Sequence, residues 1–364
     1  MNQADREHLF APKTNAWDKI PPIPSPLPMT LEPGEGYFHY CSLTAALNIL
    51  SPDKNYNDEK ILRHKAPGIP MWASHFLFLN DKRELVDGLG KVCVHMKEKC
   101  EKSGLHSEAK ECLEKYLDYF KGLKSDNIYE APNNYIVCFC LDGNLLSQWT
   151  YYGKESGIAI ELDLNSCQIE GLFPPEQLPD GTSHRNRERS IIITPQKVLY
   201  EEADKASCLE TIMQQDISKT AEDAYAKATT MALQSLAAAS LMKHDSWKGE
   251  KEVRLLFSPL RTSNHSIEEA MKRIHYREDK GQIKPYLPVR LKHKTEGEHI
   301  VKSITIGPGE RQELIANGML KLVQTRFIDK LTEIDQWTPA TGKDYDFTKV
   351  GDIEVRRSTI PLRA

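Results

Sequence analysis

The chain has 364 residues, with 40% apolar and 27% charged positions and a mass of 41.5 kDa; this is a globular composition, large enough to bury a core without disulfides or metal. A formal charge of −4 argues against a nucleic-acid scaffold built on a basic surface, although small basic patches stay open. No apolar run reaches the ~18–20 residues of a membrane helix, and the charged opening Met1–Phe10 holds no apolar leader core, so the protein reads as cytoplasmic.

Residues 1–35 form a leader in which Pro12, Pro21, Pro22, Pro24, Pro26, Pro28 and Pro33 block helix and ladder hydrogen bonds. Regular structure is expected from Gly36, with a short strand to Ser42 feeding the helix 43–50, whose Leu43, Ala46, Leu47 and Leu50 recur at helical spacing. Glu, Lys and Leu make residues 82–125 helical, with a break at Ser103-Gly104, and a second helical insertion runs over about 201–246. Strand-like runs occupy 135–141, 157–163, 190–194, 198–201, 252–257, 286–291 and 303–306. Gly307-Pro-Gly309 reads either as a phosphate-friendly turn before the helical 310–316 or as plain strand termination. The strands lack regular crossover helices, so a doubly wound nucleotide fold is not expected. The fold class is α+β with central mixed or antiparallel sheets, as one domain over 36–335 with two helical insertions and a C-terminal extension over 336–364.

The eight cysteines are spread thinly, with no C-x-x-C pair, and read as reduced thiols. Cys93, His95, Cys100, His106 and Cys112 form the tightest metal-like group, but their spacing matches no compact zinc site. Helix packing is the expected role, and no metal is expected.

Four islands mix aromatic with polar groups: Phe38–Ser42, Phe78–Asp81, Leu146–Gly153 and Lys243–Arg254. If 250–257 is a strand, Val253, Leu255 and Phe257 face the core while Glu250, Glu252 and Arg254 share the other face. Two carboxylates ~7 Å apart with a guanidinium beyond can grip a sugar and stabilise cationic charge as a glycosidic bond opens. The same residues also fit a solvated strand face with a weak ion pair. Trp149, Tyr151 and Tyr152 offer flat faces for a planar ring, or serve as core aromatics with satisfied polar tips. His39 beside Tyr40 and Ser42 fits either a structural hydrogen bond or a catalytic base.

The order of these islands resembles the bacterial family known as domain of unknown function 2971. The shared motifs are Asn80, Asp81 and Glu84; Trp149, Tyr152, Gly153 and Gly157; and Lys243, Trp247, Glu250, Glu252 and Arg254, within residues 36–310. That name carries no activity. A more distant resemblance links His39, the Tyr152-Gly153 element before the Gly157 strand, and Glu250-x-Glu252 to the His-Tyr-Glu constellation of ADP-ribosyltransferases. This second resemblance implies an enzyme of that fold that splits NAD at the nicotinamide–ribose bond, as a transferase passing ADP-ribose to a protein or nucleic-acid acceptor or as an NAD glycohydrolase, while the resemblance to the bacterial family implies a toxin or phage-defence setting. It implies that His39, Tyr40 and Ser42 orient the cofactor and that Tyr152 and Trp149 stack on nicotinamide. Glu252 would stabilise the oxocarbenium-like centre, Glu250 would serve the acceptor, and Lys243 and Arg254 would meet the pyrophosphate. Glu252→Gln is then expected to remove turnover with the fold intact. The rival expectation is a nucleotide sensor or partner-binding module of the same fold without turnover.

Overall fold

Period-two alternation decides how the layers of this protein form. In the computed structural model the described residues are 31–32, 35–50, 68–79, 83–102, 105–123, 134–152, 157–170, 176–177, 183–184, 191–192, 195–214, 221–257, 274–279, 281–328 and 336–361. The proline-rich run up to residue 30, together with Asn80, Asp81 and Gly153, lies outside them.

The chain opens with β1 (Tyr37–Ser42), α1 (Leu43–Leu50), β2 (Ile69–His75), α2 (Arg83–Glu101) and α3 (Ser107–Leu123). Then come β3 (Tyr135–Cys140), α4 (Leu146–Tyr152), β4 (Gly157–Leu162) and β5 (Cys167–Glu170). The short strands β6 (Glu176–Gln177), β7 (Ser183–His184), β8 (Ile191–Ile192) and β9 (Gln196–Lys197) lead to α5 (Glu202–Met213) and α6 (Ala221–Ala239). The chain continues with β10 (Glu252–Phe257), β11 (His275–Asp279), β12 (Gln282–His293), β13 (Val301–Ile306) and α7 (Gln312–Arg326). It closes with β14 (Thr338–Pro339), β15 (Tyr345–Val350) and β16 (Ile353–Ser358).

One large mixed sheet carries the fold, in the order β14-β15-β16-β13-β4-β1-β3-β2-β12-β5-β8, with β10 along β3 and β11 along β12. The β13–β16 pair is parallel and its neighbours are antiparallel. β3 is the branch point. β10 runs along the whole of one edge. The other edge meets β1 at Phe38↔Cys140 and β2 at Ser74↔Ile136 and His75↔Tyr135. The sheet therefore splits beside Cys138, and two half-sheets diverge from one strand.

Tyr135, Val137 and Phe139 point to the face shared by Ile158, Ile160 and Leu162, where they pack with α1 and α7. Ile136 points to the opposite face, where α2, α3, α5 and α6 pack as one layer. The two helical insertions therefore form a single cover. Leu85, Leu89, Val92, Cys93, Met96 and Cys100 line one side of α2 at helical spacing, so these cysteines pack as small apolar groups. Gly88 lets α2 approach α6 closely: a Cβ there would stand 2.5 Å from the Ala239 carbonyl oxygen. Gly307 ends β13 under the ring of Trp149, where a Cβ would come within 2.7 Å of the indole. Close packing is its observed role.

Three expectations are corrected. The run 198–201 is no strand; its neighbour β9 is, and Leu199 makes a single parallel bridge to Met242. The helix at 310–316 starts later and runs on to Arg326. Part of the segment 336–364, expected as an extension, supplies β15 and β16 to the main sheet, with Val350, Ile353 and Val355 in its core. Among the described residues no helix is long and apolar enough to cross a membrane.

Candidate functional site

The split in the sheet gathers polar groups that a continuous sheet would exclude. On its β1 side, His39 Nδ1 donates to the Cys138 carbonyl at 3.0 Å, bonding a backbone group that neither β1 nor β2 pairs. A carbonyl only accepts, so Nδ1 carries the proton and Nε2 keeps its lone pair. Burial lowers the His39 pKa, the bond to Cys138 raises it, and the Arg277 charge lowers it; the net shift is downward and the ring is neutral near pH 7.

The β10 side is ionic. Glu252 Oε1 and Oε2 accept from Arg254 Nε and Nη2 at 2.8 and 2.9 Å. Arg254 Nη1 reaches the Ser240 carbonyl at 2.6 Å, tying the strand to the end of α6. Lys243 Nζ bonds Glu250 at 2.8 Å and Glu252 at 3.1 Å, and sits 5.2 Å from the Trp247 ring centre. The Cys138 thiol, its pKa pushed well up by burial and by the Glu252 charge, bonds the Glu252 carboxylate. Burial opposes ionisation of Glu252, but Arg254 and Lys243 outweigh it and hold its pKa at about 2.

Glu250 is not on the strand face where alternation would put it. It ends a 3-10 turn over Asp245–Glu250, and Lys251 then adopts φ 48°, ψ 47°, a left-handed conformation uncommon outside glycine. That reversal lets the two carboxylates converge on one ammonium instead of lying spaced along a strand.

Strand register decides what meets. His39 pairs with Ile160 and lies on the face of Phe139, whose ring is 5.8 Å away. Glu252 pairs with Cys140, and Arg254 with Cys138, on the opposite face. Imidazole and carboxylate therefore approach from two sides of β3 and are linked through Cys138. Tyr152, 37% exposed, closes α4 on the Glu252 side. Its phenol pKa is raised by burial first, then by acidic neighbours that include Cys138 and Glu252. Arg277 of β11, which sequence reasoning missed, feels the charge state of Tyr152 as well as that of His39 and bonds Ser74 Oγ at 2.8 Å. Its one sequence signal was the alternation of His275, Arg277 and Asp279.

Other predicted residues are structural. Trp149 is 0% exposed, donates Nε1–H to Asn144 Oδ1 at 2.8 Å and packs edge-on against Tyr40; a ring with no free face cannot stack on a ligand. Tyr40 is buried, donates to the Asp142 carbonyl and accepts from the Leu145 amide, so it anchors the entry to α4. Arg254, 2% exposed, has all its nitrogens committed inside and is withdrawn from any pyrophosphate. Ser42 is exposed at the far end of β1, where Oγ caps α1 by accepting from Ala45 N at 3.2 Å. Among the described residues no group of three His, Cys, Asp or Glu side chains is placed to hold a metal. A separate hollow of 390 Å³ between β4, β13 and β16 contains none of the predicted residues. Five carboxylates line it; Glu161 and Glu354 pair with Arg356 and Asp163 pairs with Lys302, beside Glu35 and Asp352.

Residues 148–255 match a family model described as "Protein of unknown function (DUF2971)". The match covers under a third of the chain, supports the resemblance to that family, and includes Tyr152, Lys243, Glu250, Glu252 and Arg254 but not His39. No curated protein matches the chain. No solved structure matches it.

Proposed function

We propose that the split in the sheet binds NAD+ and that the protein cleaves the nicotinamide–ribose bond, passing ADP-ribose to a macromolecular acceptor, as the resemblance to ADP-ribosyltransferases implies. The observation supporting this reading is that the three motif residues His39, Tyr152 and Glu252 gather around Cys138: one bonds its carbonyl, one its thiol, and the third is perturbed by both thiol and carboxylate.

In this reading His39 Nε2 accepts from a ribose hydroxyl, and the neutral Tyr152 ring lies along nicotinamide. Glu252, held ionised by Arg254 and Lys243, is a fixed anion behind the sugar. A preorganised charge of this kind favours the oxocarbenium-like transition state and needs no reorganisation as the bond opens. The C1′–N bond breaks, nicotinamide leaves neutral with the electron pair, and the acceptor's nucleophile closes on C1′. Its proton passes to Glu250, whose side chain is 20% exposed against 6% for Glu252.

Glu252→Gln is no clean test, because removing one member of a buried ion pair destabilises by roughly 3–5 kcal/mol. Glu250→Gln and Tyr152→Ala are cleaner. With the full chain and NAD+, release of free nicotinamide is expected, falling ~10²–10³-fold in Glu250→Gln, with a smaller loss of thermal stability than in Glu252→Gln because Lys243 keeps Glu252 as a partner. The engagement of both Glu252 oxygens by Arg254 favours a second reading, a nucleotide sensor without turnover. NAD+ raising the melting temperature with no nicotinamide released would establish that reading and remove the first.

A further inference from the structure

The half-sheet β2–β12–β11 shows two unlike faces. Ile69, Met71, Ala73, Leu287, Val289 and Leu291 point into the core. By register the reverse face carries Trp72 and Ser74 from β2, Tyr286 and its even-numbered neighbours from β12, and His275 and Arg277 from β11. The same register places Pro70 and Pro288 on this face, Pro288 standing opposite Trp72.

Its rings are adjacent: Trp72 and Tyr286 lie 5.0 Å apart and His275 and Tyr286 5.7 Å apart, by centroids. Trp72 is 44% exposed. The Arg277 side chain crosses Tyr286 at 5.7 Å and Trp72 at 5.4 Å to reach Ser74. Lys284, Arg290 and Lys292 extend the positive charge along β12, and with Arg277 they bring four cations to this face; Asp279 bonds Lys284 at 2.7 Å, and Glu170 of β5 stands opposite Arg290 by register. The whole chain is acidic, at −4, so this local excess runs against the composition.

We infer that this face binds single-stranded RNA, bases stacking on Trp72 and Tyr286 and phosphates passing Arg277, Arg290 and Lys292. Ring faces on a flat antiparallel sheet take unstacked bases, which a duplex hides. Basic side chains in a row track a backbone. Ser74 and His275 beside the rings supply partners for 2′-hydroxyls, which commits the site to RNA rather than DNA. The inference does not rest on the NAD+ reading, although Arg277 also places the face against the split.

The full chain should be titrated into a labelled single-stranded oligoribonucleotide of about twelve nucleotides. The matching DNA strand, the matching duplex and a polyglutamate peptide serve as comparisons. Saturable binding to the RNA is expected, tighter than to DNA or duplex and weakening steeply between about 50 and 200 mM salt. Trp72→Ala and His275→Ala, both at exposed positions, are expected to weaken binding, the tryptophan about tenfold or more. Arg290→Gln is expected to reduce the salt slope by about 0.7. Tyr276→Ala, on the same strand as His275 but pointing away from the aromatic face and 67% exposed, is expected to change nothing. No saturable RNA binding, equal binding of DNA or duplex, preference for polyglutamate, or an unaffected folded Trp72→Ala protein would each overturn the inference.

Discussion

Trp149 and Trp72 lie over the same face of one sheet, on opposite sides of the split, and meet opposite environments. Trp149 is fully buried, its indole N–H paired and its ring wedged between Tyr40 and Gly307. Trp72 stays 44% exposed under the guanidinium of Arg277. The arginines follow suit: Arg254 is sealed against Glu252 and the end of α6, while Arg277 lies across open rings. The difference teaches that residue type does not decide between core and site here. Coverage does: α4 and the helical layer close one half of the face, and leave the rings of the other open.

The largest expected effects break that comparison directly. Trp149→Ala empties a closed site and should destabilise by roughly 3–5 kcal/mol in denaturant unfolding, whereas Trp72→Ala should stay within about 1 kcal/mol. Equal losses would mean the two faces are covered alike. The arginines give the same test in charge: Arg254→Ala leaves Glu252 buried beside only Lys243 and should lose about 3–5 kcal/mol, while Arg277→Ala should lose under about 1 kcal/mol.

An acid titration sharpens the contrast with a somewhat smaller effect. The Glu252 pKa is depressed from 4.5 to about 2, so its contribution is fully present above the unfolded value. It is lost as pH falls from 4.5 towards 2. Roughly 3 kcal/mol of unfolding free energy should disappear across that window, and the loss should flatten in Glu252→Gln. A wild-type curve without this acid limb would show the carboxylate to be solvated. The smallest effect concerns His39. Its pKa lies below 6.5, so stability declines as pH falls below 6.5, where the unfolded ring protonates first. Arg277→Gln removes a nearby positive charge and should move the His39 titration upward by proton NMR. An unmoved resonance would separate Arg277 from the split.

Much of the fold was legible in the sequence, because alternation and helical spacing are local signals. β10 begins and ends where its pattern does, and Val253, Leu255 and Phe257 reach the core as expected. β2 and β11 were not legible: prolines and polar residues interrupt their apolar pattern, and they become strands by pairing with β12. The site divided the same way. Residue types suggested a Glu-x-Glu element, but only the backbone reversal at Lys251 brings both acids to Lys243. Likewise Trp149 and Tyr152 share a short helix, and the tertiary cover alone separates the buried ring from the accessible one.

The bond from His39 to Cys138 spans a gap in the sheet and is the clasp there. The halves share β3 as a spine, and flexing about it, with the imidazole as the catch, is the expected consequence. The Cys138 amide, aimed into the same gap, is a reporter of that flexing: its exchange with deuterated solvent should run ahead of its neighbours in β3.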